Sequence, residues 1–567
     1  MPSRTSLIDR VSAFIAHRHA QSVFNRFMES TRHATAIQEK ILLAKIRRNA
    51  DSDFGREHHF GTIDDASDFL RQVPIGNYER HRPYIERVKR GDTRALFGPR
   101  QRVLMFALTS GTTEEPKYIP VTSHFLKEYR QGWNAFGIKA LLDHEGTILR
   151  PIVQVTSRMN ESSSPAGIPC GAITGLLAAT QKRLVRKYYV APRCLAEIDD
   201  PAAKYYTIMR LSVPADVSFC VTASPATQLK LARAADTHAE QLIRDVHDGG
   251  LWPQLPVAED LRQQLAPRMK ADPATADRLE ELLKQHGRLL PKHYWNLGFL
   301  ANWTAGSMSL YLREYPEYFG DTPVRDIGLL ASEGRVSIPI EDGTAAGILD
   351  VTSHFFEFVP RQEIDQPSPT TLRSHQVKVG EEYFVLLTTS AGLYRYDLRD
   401  LVRVVDFCGQ APVIEFLNKG SHISSLSGEK ITERQVILAM ERAVQLLNLR
   451  VDNFVLAPRW ARLPYYLLHV EDGSAGSSST GARLAAELDR QLCSINVEYA
   501  SKRDSDRLGP IHLNLLPAGY LADLDWRQAQ SHRRGNEQFK HKFLYTRPGE
   551  DEAFPSAGLD SVNPRQV

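Results

Sequence analysis

Apolar positions along the chain repeat with two different periods, and the changes from one to the other mark out the elements. RVLMFALTS, Arg102 to Ser110, is a short apolar run that predicts a strand. After a polar stretch, Leu126, Tyr129, Trp133, Phe136 and Ala140 recur at intervals of three and four, which predicts a helix with Thr122 or Ser123 as its N-cap. EEYFVLLTTSAGLYRYDLRDLVRVVDF, Glu381 to Phe407, sets β-branched and aromatic runs on both sides of Ser390-Ala391-Gly392, the pattern of a hairpin continued by a third strand. In FLNKGSHISSLSGEKITERQV the periodicity fails, and Thr432 with Gln435 has capping-box spacing for the next helix. A strand at Tyr465 to Val470, a low-complexity loop GSAGSSSTG and a helix carrying Leu484, Leu488 and Leu492 on one face follow.

Strand-like and helix-like segments alternate over most of the length without an internal repeat, so the fold class is α/β. The boundary between a large first domain (1–417) and a small second one (418–545) falls near Leu417 to Gly420, where the pattern breaks. The stretch 546–567 is polar, contains proline and reads as a flexible tail. Ser162 to Ser164 read as loop. At the other end, Leu7, Val11, Phe14 and Ile15 stand among charges, an amphipathic helix pattern and not a secretion signal.

Composition changes this picture little. A chain of 567 residues favours two or three domains, and 42% hydrophobic with 24% charged residues is ordinary for a globular protein. The formal charge of +3 provides no basic field for nucleic acid or an anionic membrane, and no run nears the roughly 18 apolar residues of a membrane span. Cys170, Cys194, Cys220, Cys408 and Cys493 form no C-x-x-C pair, which argues against a disulfide framework or a zinc site and favours a cytoplasmic setting. His58-His59 and the other histidines show no metal-ligand spacing.

Candidate chemistry begins with FALTSGTTEEPKYIPVT, Phe106 to Thr122. Ser, Gly and Thr between an apolar run and a lysine suit a loop that holds phosphate oxygens on backbone N–H groups. Gly111 and Lys117 have P-loop spacing, but Pro116 replaces the second glycine and Tyr118 the magnesium-binding hydroxyl, so the P-loop reading fails. Thr109 to Thr113 alone would equally make a solvated turn. VRDIGLLASEGR, Val324 to Arg335, reads as an apolar strand delivering Ser332 and Glu333 to its carboxyl end, and Leu393 to Asp400 spells LYRYDLRD. A carboxylate such as Asp400 can accept from two hydroxyls at once.

In this order, T-S-G-T-T-x-x-P-K, A-S-E and Y-R-Y-x-x-x-D resemble the phosphate, metal and ribose motifs of the adenylate-forming enzymes. WTAGSMSLYLREYPEYFGDTPVRDIGLLASEG, NVEYASKRDSDRLGP and NEQFKHKFLY are more specific. They resemble the acyl-acid amido synthetases of the Gretchen Hagen family, over about Phe106 to Tyr545. That resemblance implies a large N-terminal, luciferase-like domain of mixed sheets and helices and a small mobile C-terminal α/β domain. It implies ATP and Mg2+ as cofactors, with a small carboxylic acid and an amino acid as substrates. Ser110, Gly111, Thr112, Thr113, Lys117, Gly306, Ser332, Glu333, Asp400 and Arg403 are then nucleotide contacts, and Glu333 the metal ligand. Aligning Gln538-Phe539-Lys540 with the family's Q-[FY]-K makes Lys540 the catalytic lysine beside Lys117, with Lys542 second. Cys170 becomes a small residue beside the acyl pocket.

The implied reaction is adenylation of the acid with release of pyrophosphate, then transfer of the acyl group to an amine with release of AMP. An acyl-CoA ligase and a nucleotide-binding homologue without catalysis are the alternatives. Three departures from the family pattern bear on the last: Glu114 and Arg399 where glycine is usual, and Leu329 where tyrosine is usual.

Overall fold

The computed structural model describes residues 7–109, 116–420, 423–427, 429–471, 478–505, 507–531 and 541–555. Its described residues divide into two compact units: 7–308 with 312–416, and 309–311 with 417–531 and 541–555.

The larger unit is built on three principal sheets. One places Val103–Thr109 between its antiparallel partner Lys117–Thr122 and the parallel Pro169–Gly171. The phosphate-loop segment therefore joins two strands of a hairpin, where the spacing had suggested a passage from strand to helix, and Thr109 faces Lys117 at its mouth. The helix begins after the second strand, at Ser123–Asp143. Thr122 caps it by accepting from the Phe125 N–H at 3.1 Å, and the same hydroxyl donates to the Ser390 carbonyl at 2.9 Å. Leu126, Tyr129, Phe136 and Ala140 are buried as the period requires. Ser162–Ser163 corrects the loop reading of that serine run: it pairs with Pro169–Gly171 as a short strand.

A second sheet is parallel, in the order Ile152–Gln154, Phe219–Val221, Phe299–Asn302, Val324–Asp326. The third has seven strands, in the order Ser337–Ile338, Gly347–Leu349, Ala411–Lys419, Tyr396–Cys408, Glu382–Thr388, Phe355–Pro360, Leu372–Arg373. A large apolar core, including Phe106, Phe125, Phe136, Phe355 and Leu387, joins these layers to the N-terminal helices Ala34–Asn49 and Tyr78–Lys89.

The smaller unit has its own core, with Val436, Met440, Leu456, Leu468, Leu484, Leu488 and Leu492 at its centre. Its sheet pairs Phe454–Arg459 with Tyr465–Glu471 antiparallel, and the latter with His512–Leu516 parallel. The capping box at Thr432 and Gln435 starts the helix Glu433–Leu447. The helix Ser478–Ile495 takes in the last residues of the low-complexity loop.

The expected loose tail is corrected for its described part. Asp551 is 2% exposed, its carboxylate takes Arg459 and the His469 Nε2, and Phe554 packs edge-on against Tyr520, Tyr545 and His469. One carboxylate with two hydrogen-bonding partners and one aromatic ring is enough to hold a polar segment down, and single residues of that kind leave no periodic signal.

Candidate active site

The ends of the parallel strands supply the first part of the site, the usual place for ligands in open α/β sheets. Phe299–Asn302 leads into Trp303, Thr304 and Gly306, and Val324–Asp326 leads into Gly328. Asp326 ties the two together. Its carboxylate accepts from the Thr304 N–H and hydroxyl, both at 2.6 Å, and from the Gly328 N–H at 2.6 Å. Burial pushes its pKa up, and these hydrogen bonds oppose that shift.

Gly328 corrects the reading of one continuous strand into Ser332 and Glu333. With φ at +87° and no room for a Cβ, which would meet the Ser337 carbonyl oxygen at 2.3 Å, it ends the first strand and turns the chain into the short hairpin Leu330–Ala331 and Gly334–Arg335. Ser332 and Glu333 form the tip of that hairpin. Behind the tip, a Cβ on Gly334 would lie 2.8 Å from the buried His354 Nε2, so only glycine fits there. Leu329, the departure from tyrosine, is buried and donates its N–H to the Ser337 hydroxyl at 2.9 Å.

Glu333 is buried, and its Oε1 lies 3.4 Å from the Tyr396 hydroxyl. Burial, and then the Glu333 charge, push that phenol well above its usual pKa, so it stays a donor. Lys117 opens the second strand of the hairpin. Its ammonium stands 5.7 Å from the centre of the Tyr78 ring, and the Tyr78 hydroxyl accepts from the Tyr118 N–H at 2.9 Å. Burial raises the Tyr78 pKa to about 12.

Tyr78 is the first residue of its helix, which Asn77 caps by accepting from the Glu79 and Arg80 N–H groups. The residue before the cap, Gly76, bridges to the LYRYD strand: its N–H donates to the Arg395 carbonyl at 3.1 Å and its carbonyl accepts from the Asp397 N–H at 2.8 Å. His81, one turn on, accepts the Tyr394 N–H on Nε2 at 3.1 Å while its Nδ1 faces the Asn77 carbonyl at 3.0 Å. That pair of contacts requires the neutral Nδ1–H tautomer, and burial, which lowers its pKa to about 4, agrees. The Arg395 side chain is buried on Glu357, with Nε 3.0 Å and Nη2 2.7 Å from Oε1, and its Nη1 donates to the Leu70 and Val73 carbonyls, each at 2.8 Å.

Asp400 lies in an irregularity of the ladder. Phe384 faces Leu401 and Leu386 faces Asp397, so Leu398, Arg399 and Asp400 together occupy the space opposite Val385. Such a bulge re-aims the side chains that follow it. Arg399 takes the left-handed backbone at φ +57°, the conformation that glycine adopts without cost, and this is the position at which glycine is usual in the family pattern. Its N–H donates to Asp397 Oδ1 at 2.7 Å, and its guanidinium pairs with Asp397 and the exposed Asp365, both at 2.9 Å. Arg399→Gly is therefore expected to keep the fold and change stability by less than about 1 kcal/mol, because relief of the left-handed strain, worth about that much, is set against the lost pair with the buried Asp397 carboxylate, while the exposed Asp365 pair counts for little. Urea unfolding checks this; a loss above about 1 kcal/mol would make the two ion pairs the stronger term.

Lys117 thus faces Tyr78 and Glu333 faces Tyr396, and the Gly76 bridge and the His81 ring, 5.6 Å from that of Tyr396, join the helix of the first pair to the strand of the second. Asp400, buried at 3% exposure, stands four residues along the strand from Tyr396. Gly306, at φ +65°, opens the turn after the Thr304 contact. Arg403 donates to Glu382 at 2.8 Å. Ser110, Gly111, Thr112, Thr113, Glu114 and Lys540 lie outside the described residues. Cys170 is buried in the strand beside Phe106. Tyr78, His81 and Glu357 carry no motif, and Arg395 lies inside the quoted YRY without a signal for its buried partner. Tyr396 lies inside the quoted YRY, where its spacing to Asp400 was the only signal.

The donor set suits a hard cation. Among the described residues no group of three or more His, Cys, Asp and Glu side chains could hold an ion by itself. An ion at Glu333 would draw its other ligands from phosphate and water, the common arrangement for Mg2+.

Three family models match consecutive parts of the chain: the GH3 family N-terminal domain over residues 23–324, the central domain over 347–419 and the C-terminal domain over 434–548. A jasmonoyl–L-amino acid synthetase of Nicotiana attenuata, JAR4, is 24% identical, the match covering 88% of this chain and 89% of the relative. The Oryza sativa subsp. japonica jasmonoyl–L-amino acid synthetase GH3.5 is 26% identical, with 89% and 91% covered. Among solved structures, AtGH3.15 acyl acid amido synthetase in complex with 2,4-DB superposes with a TM-score of 0.82 at 18% identity, covering 93% of this chain and 94% of that one.

Proposed function

The chain belongs to the GH3 family, and from that premise we propose that it is an ATP-dependent acyl-acid amido synthetase, a ligase that makes an amide through an acyl-adenylate. A carboxylate oxygen of the acid attacks the α-phosphorus of ATP, the bond to the β-phosphate oxygen breaks and pyrophosphate leaves. The amine of an amino acid then attacks the acyl carbon, the bond to the phosphate oxygen breaks, AMP leaves and the ammonium proton passes to solvent. The junction of the Tyr78 helix, whose first ring Lys117 faces, with the strand whose Tyr396 meets Glu333 is the observation that carries this reading.

In the first step two anions must meet, so the site has to hold cationic charge and donors where negative charge accumulates. Lys117, with the loop Ser110 to Thr113, would hold the polyphosphate, and Asp400 the ribose hydroxyls. Glu333, steadied by Tyr396, would hold Mg2+, which when bound neutralises charge on the departing pyrophosphate. A neutral His81 and the buried Arg395 fix the strand that presents Tyr396 and Asp400. No helix among the described residues is long and apolar enough to cross a membrane. The dispersed, unpaired cysteines accord with a cytoplasmic setting, which is part of the same proposal.

Mass spectrometry of the products formed from ATP, mixed amino acids, CoA and a panel of carboxylic acids tests the reading. An N-acyl amino acid is the expected product. A thioester in its place would make the chain an acyl-CoA ligase, and failure to release pyrophosphate with any acid would make it a nucleotide-binding homologue. Asp400→Ala should weaken ATP binding by about 1–3 kcal/mol through lost charge-assisted hydrogen bonds. Calorimetry in magnesium buffer measures this, and an unchanged dissociation constant would assign Asp400 a structural role.

A further inference from the structure

Arg335, two residues beyond Glu333, is wholly buried and among the described residues forms no ion pair. Two other buried arginines are neutralised where they stand: Arg325 by Asp143 and Asp342 at 2.8 and 2.6 Å, and Arg395 by Glu357 at 2.7 Å. Arg335 donates from Nη2 to the Ile327 carbonyl, while its Nε and Nη1 have no acceptor. The carboxylate that attracts it most, Asp350, is already occupied. Its Oδ1 accepts from the Thr352 hydroxyl at 2.8 Å and its Oδ2 from the Ser353 hydroxyl at 2.6 Å. A guanidinium does not shed its proton, so burial with two idle donors destabilises the free protein. A trapped water would meet the hydrogen bonds and leave the charge.

The side chain leaves the hairpin strand Gly334–Arg335 and lies along the helix Ser123–Asp143. A Cβ on Gly132 would meet its Cδ at 2.4 Å and Asp350 Oδ2 at 2.6 Å, so that glycine makes the space it occupies. Its Cζ stands 4.8 Å from the centre of the Trp133 ring and 5.4 Å from that of Phe136. The helix follows the strand Lys117–Thr122, which places Arg335 between the segments that carry Lys117 and Glu333. Among Trp133, Phe136, Asp350 and Ile327, Trp133 alone is only half-buried. A turn of that indole would open the guanidinium to an incoming molecule.

We propose that Arg335, behind the Trp133 ring, is a specificity-determining residue that hydrogen-bonds an acceptor oxygen on the body of the acyl acid, so that the acids taken are aromatic carboxylic acids bearing a second polar oxygen. The inference rests on the amido synthetase reading of the same site. The reacting carboxylate belongs at the phosphate end with Lys117 and Glu333, and what reaches Arg335 is another oxygen of the same molecule. A plain hydrocarbon body would seal the two donors from water with nothing to accept from them. A site built to pair a donor rejects the analogue that lacks its partner far more strongly than an apolar pocket rejects a missing methylene. Trp133 and Phe136 supply apolar ring surfaces that suit an aromatic body.

The test compares kcat/KM for amide formation with matched acids: benzoate, phenylacetate and 3-phenylpropanoate against their 4-hydroxy and 4-carboxy counterparts. The full-length protein should prefer the substituted member of at least one pair by about tenfold or more, and the hydroxy and carboxy arms distinguish a neutral acceptor from an anionic one. Arg335→Met, similar in length and uncharged, should bring that ratio to within about twofold of unity. Arg335→Lys keeps the buried charge, serves where the Met variant does not fold, and should lower the ratio about threefold or more, because an ammonium cannot reproduce the planar pair of donors. A ratio is blind to a uniform loss of folded enzyme. Equal kcat/KM across every pair in the wild type, or a ratio unchanged in the variants, would overturn the inference; an equal fall for both members of each pair would assign Arg335 to the reacting carboxylate and overturn it as well. Were the wild-type protein to form no amide with any acid, the functional reading would fall and calorimetry with the same acids would still decide: tighter binding of a substituted acid that Arg335→Met abolishes upholds Arg335 as the residue that reads the acceptor, and equal or absent binding overturns it.

Discussion

Lys540→Ala should slow acyl-adenylate formation about a hundredfold or more, the scale seen when a single electrostatic stabiliser leaves an active site. ATP affinity should stay within about twofold. On the proposed reading, a lysine carried by the C-terminal domain would reach the reacting carboxylate and α-phosphate only on domain closure, so its charge would act mainly in the transition state. Removing such a contact lowers turnover and spares ground-state binding. Pyrophosphate release in a single turnover measures the first effect and calorimetry with ATP the second. Lys542→Ala is the control: it is exposed, two residues away, and separated from Lys540 by the buried His541. A block in Lys542→Ala with normal turnover in Lys540→Ala would show that the Q-F-K segment is misaligned. Full activity in both would remove the support for closure.

The second large effect concerns stability. Glu357→Gln leaves the Arg395 guanidinium buried without its carboxylate, and breaking a buried pair by removing one partner costs about 3–5 kcal/mol. The pair is 1% and 5% exposed, and Arg395 also holds the Leu70 and Val73 carbonyls, so its disturbance would reach both the LYRYD strand and the N-terminal helices. Urea unfolding of the full chain should show the loss. Asp365→Ala, which removes an exposed partner of Arg399, should change stability by less than about 0.5 kcal/mol. The double variant Glu357→Gln with Arg395→Met should recover much of the deficit, since no charge is then left unpaired. Equal losses for Glu357→Gln and Asp365→Ala would deny the buried pair its anchoring role.

These two variants also mark the limit of what the sequence discloses. Strands and helices at Arg102 to Ser110, Leu126 to Ala140 and Glu381 to Phe407 were legible because a buried face repeats with the period of its element. Glu333 and Asp400 were legible because a family motif surrounds each. Tyr78, His81 and Glu357 were not. Their contacts cross intervals of about forty to three hundred residues, and one tyrosine, histidine or glutamate in a helix or strand has no periodic trace. The hairpin strand Lys117–Thr122 escaped for a different reason: Pro116 and Pro120 break up a six-residue run, yet proline is tolerated where a strand lies at the edge of its sheet.

The buried Asp551 has a practical consequence for making the protein. An expression boundary drawn where the hydrophobic pattern stops, after Tyr545, would discard the carboxylate between Arg459 and His469 together with the Phe554 ring. The shortened product would leave Arg459 without its counter-charge and His469 Nε2 without its hydrogen-bond partner inside its smaller half, and inclusion bodies would be the natural outcome. A cleavable tag attached beyond Pro555 avoids that cut, and a short carboxyl-terminal deletion series read by soluble yield would locate the step between Tyr545 and Pro555.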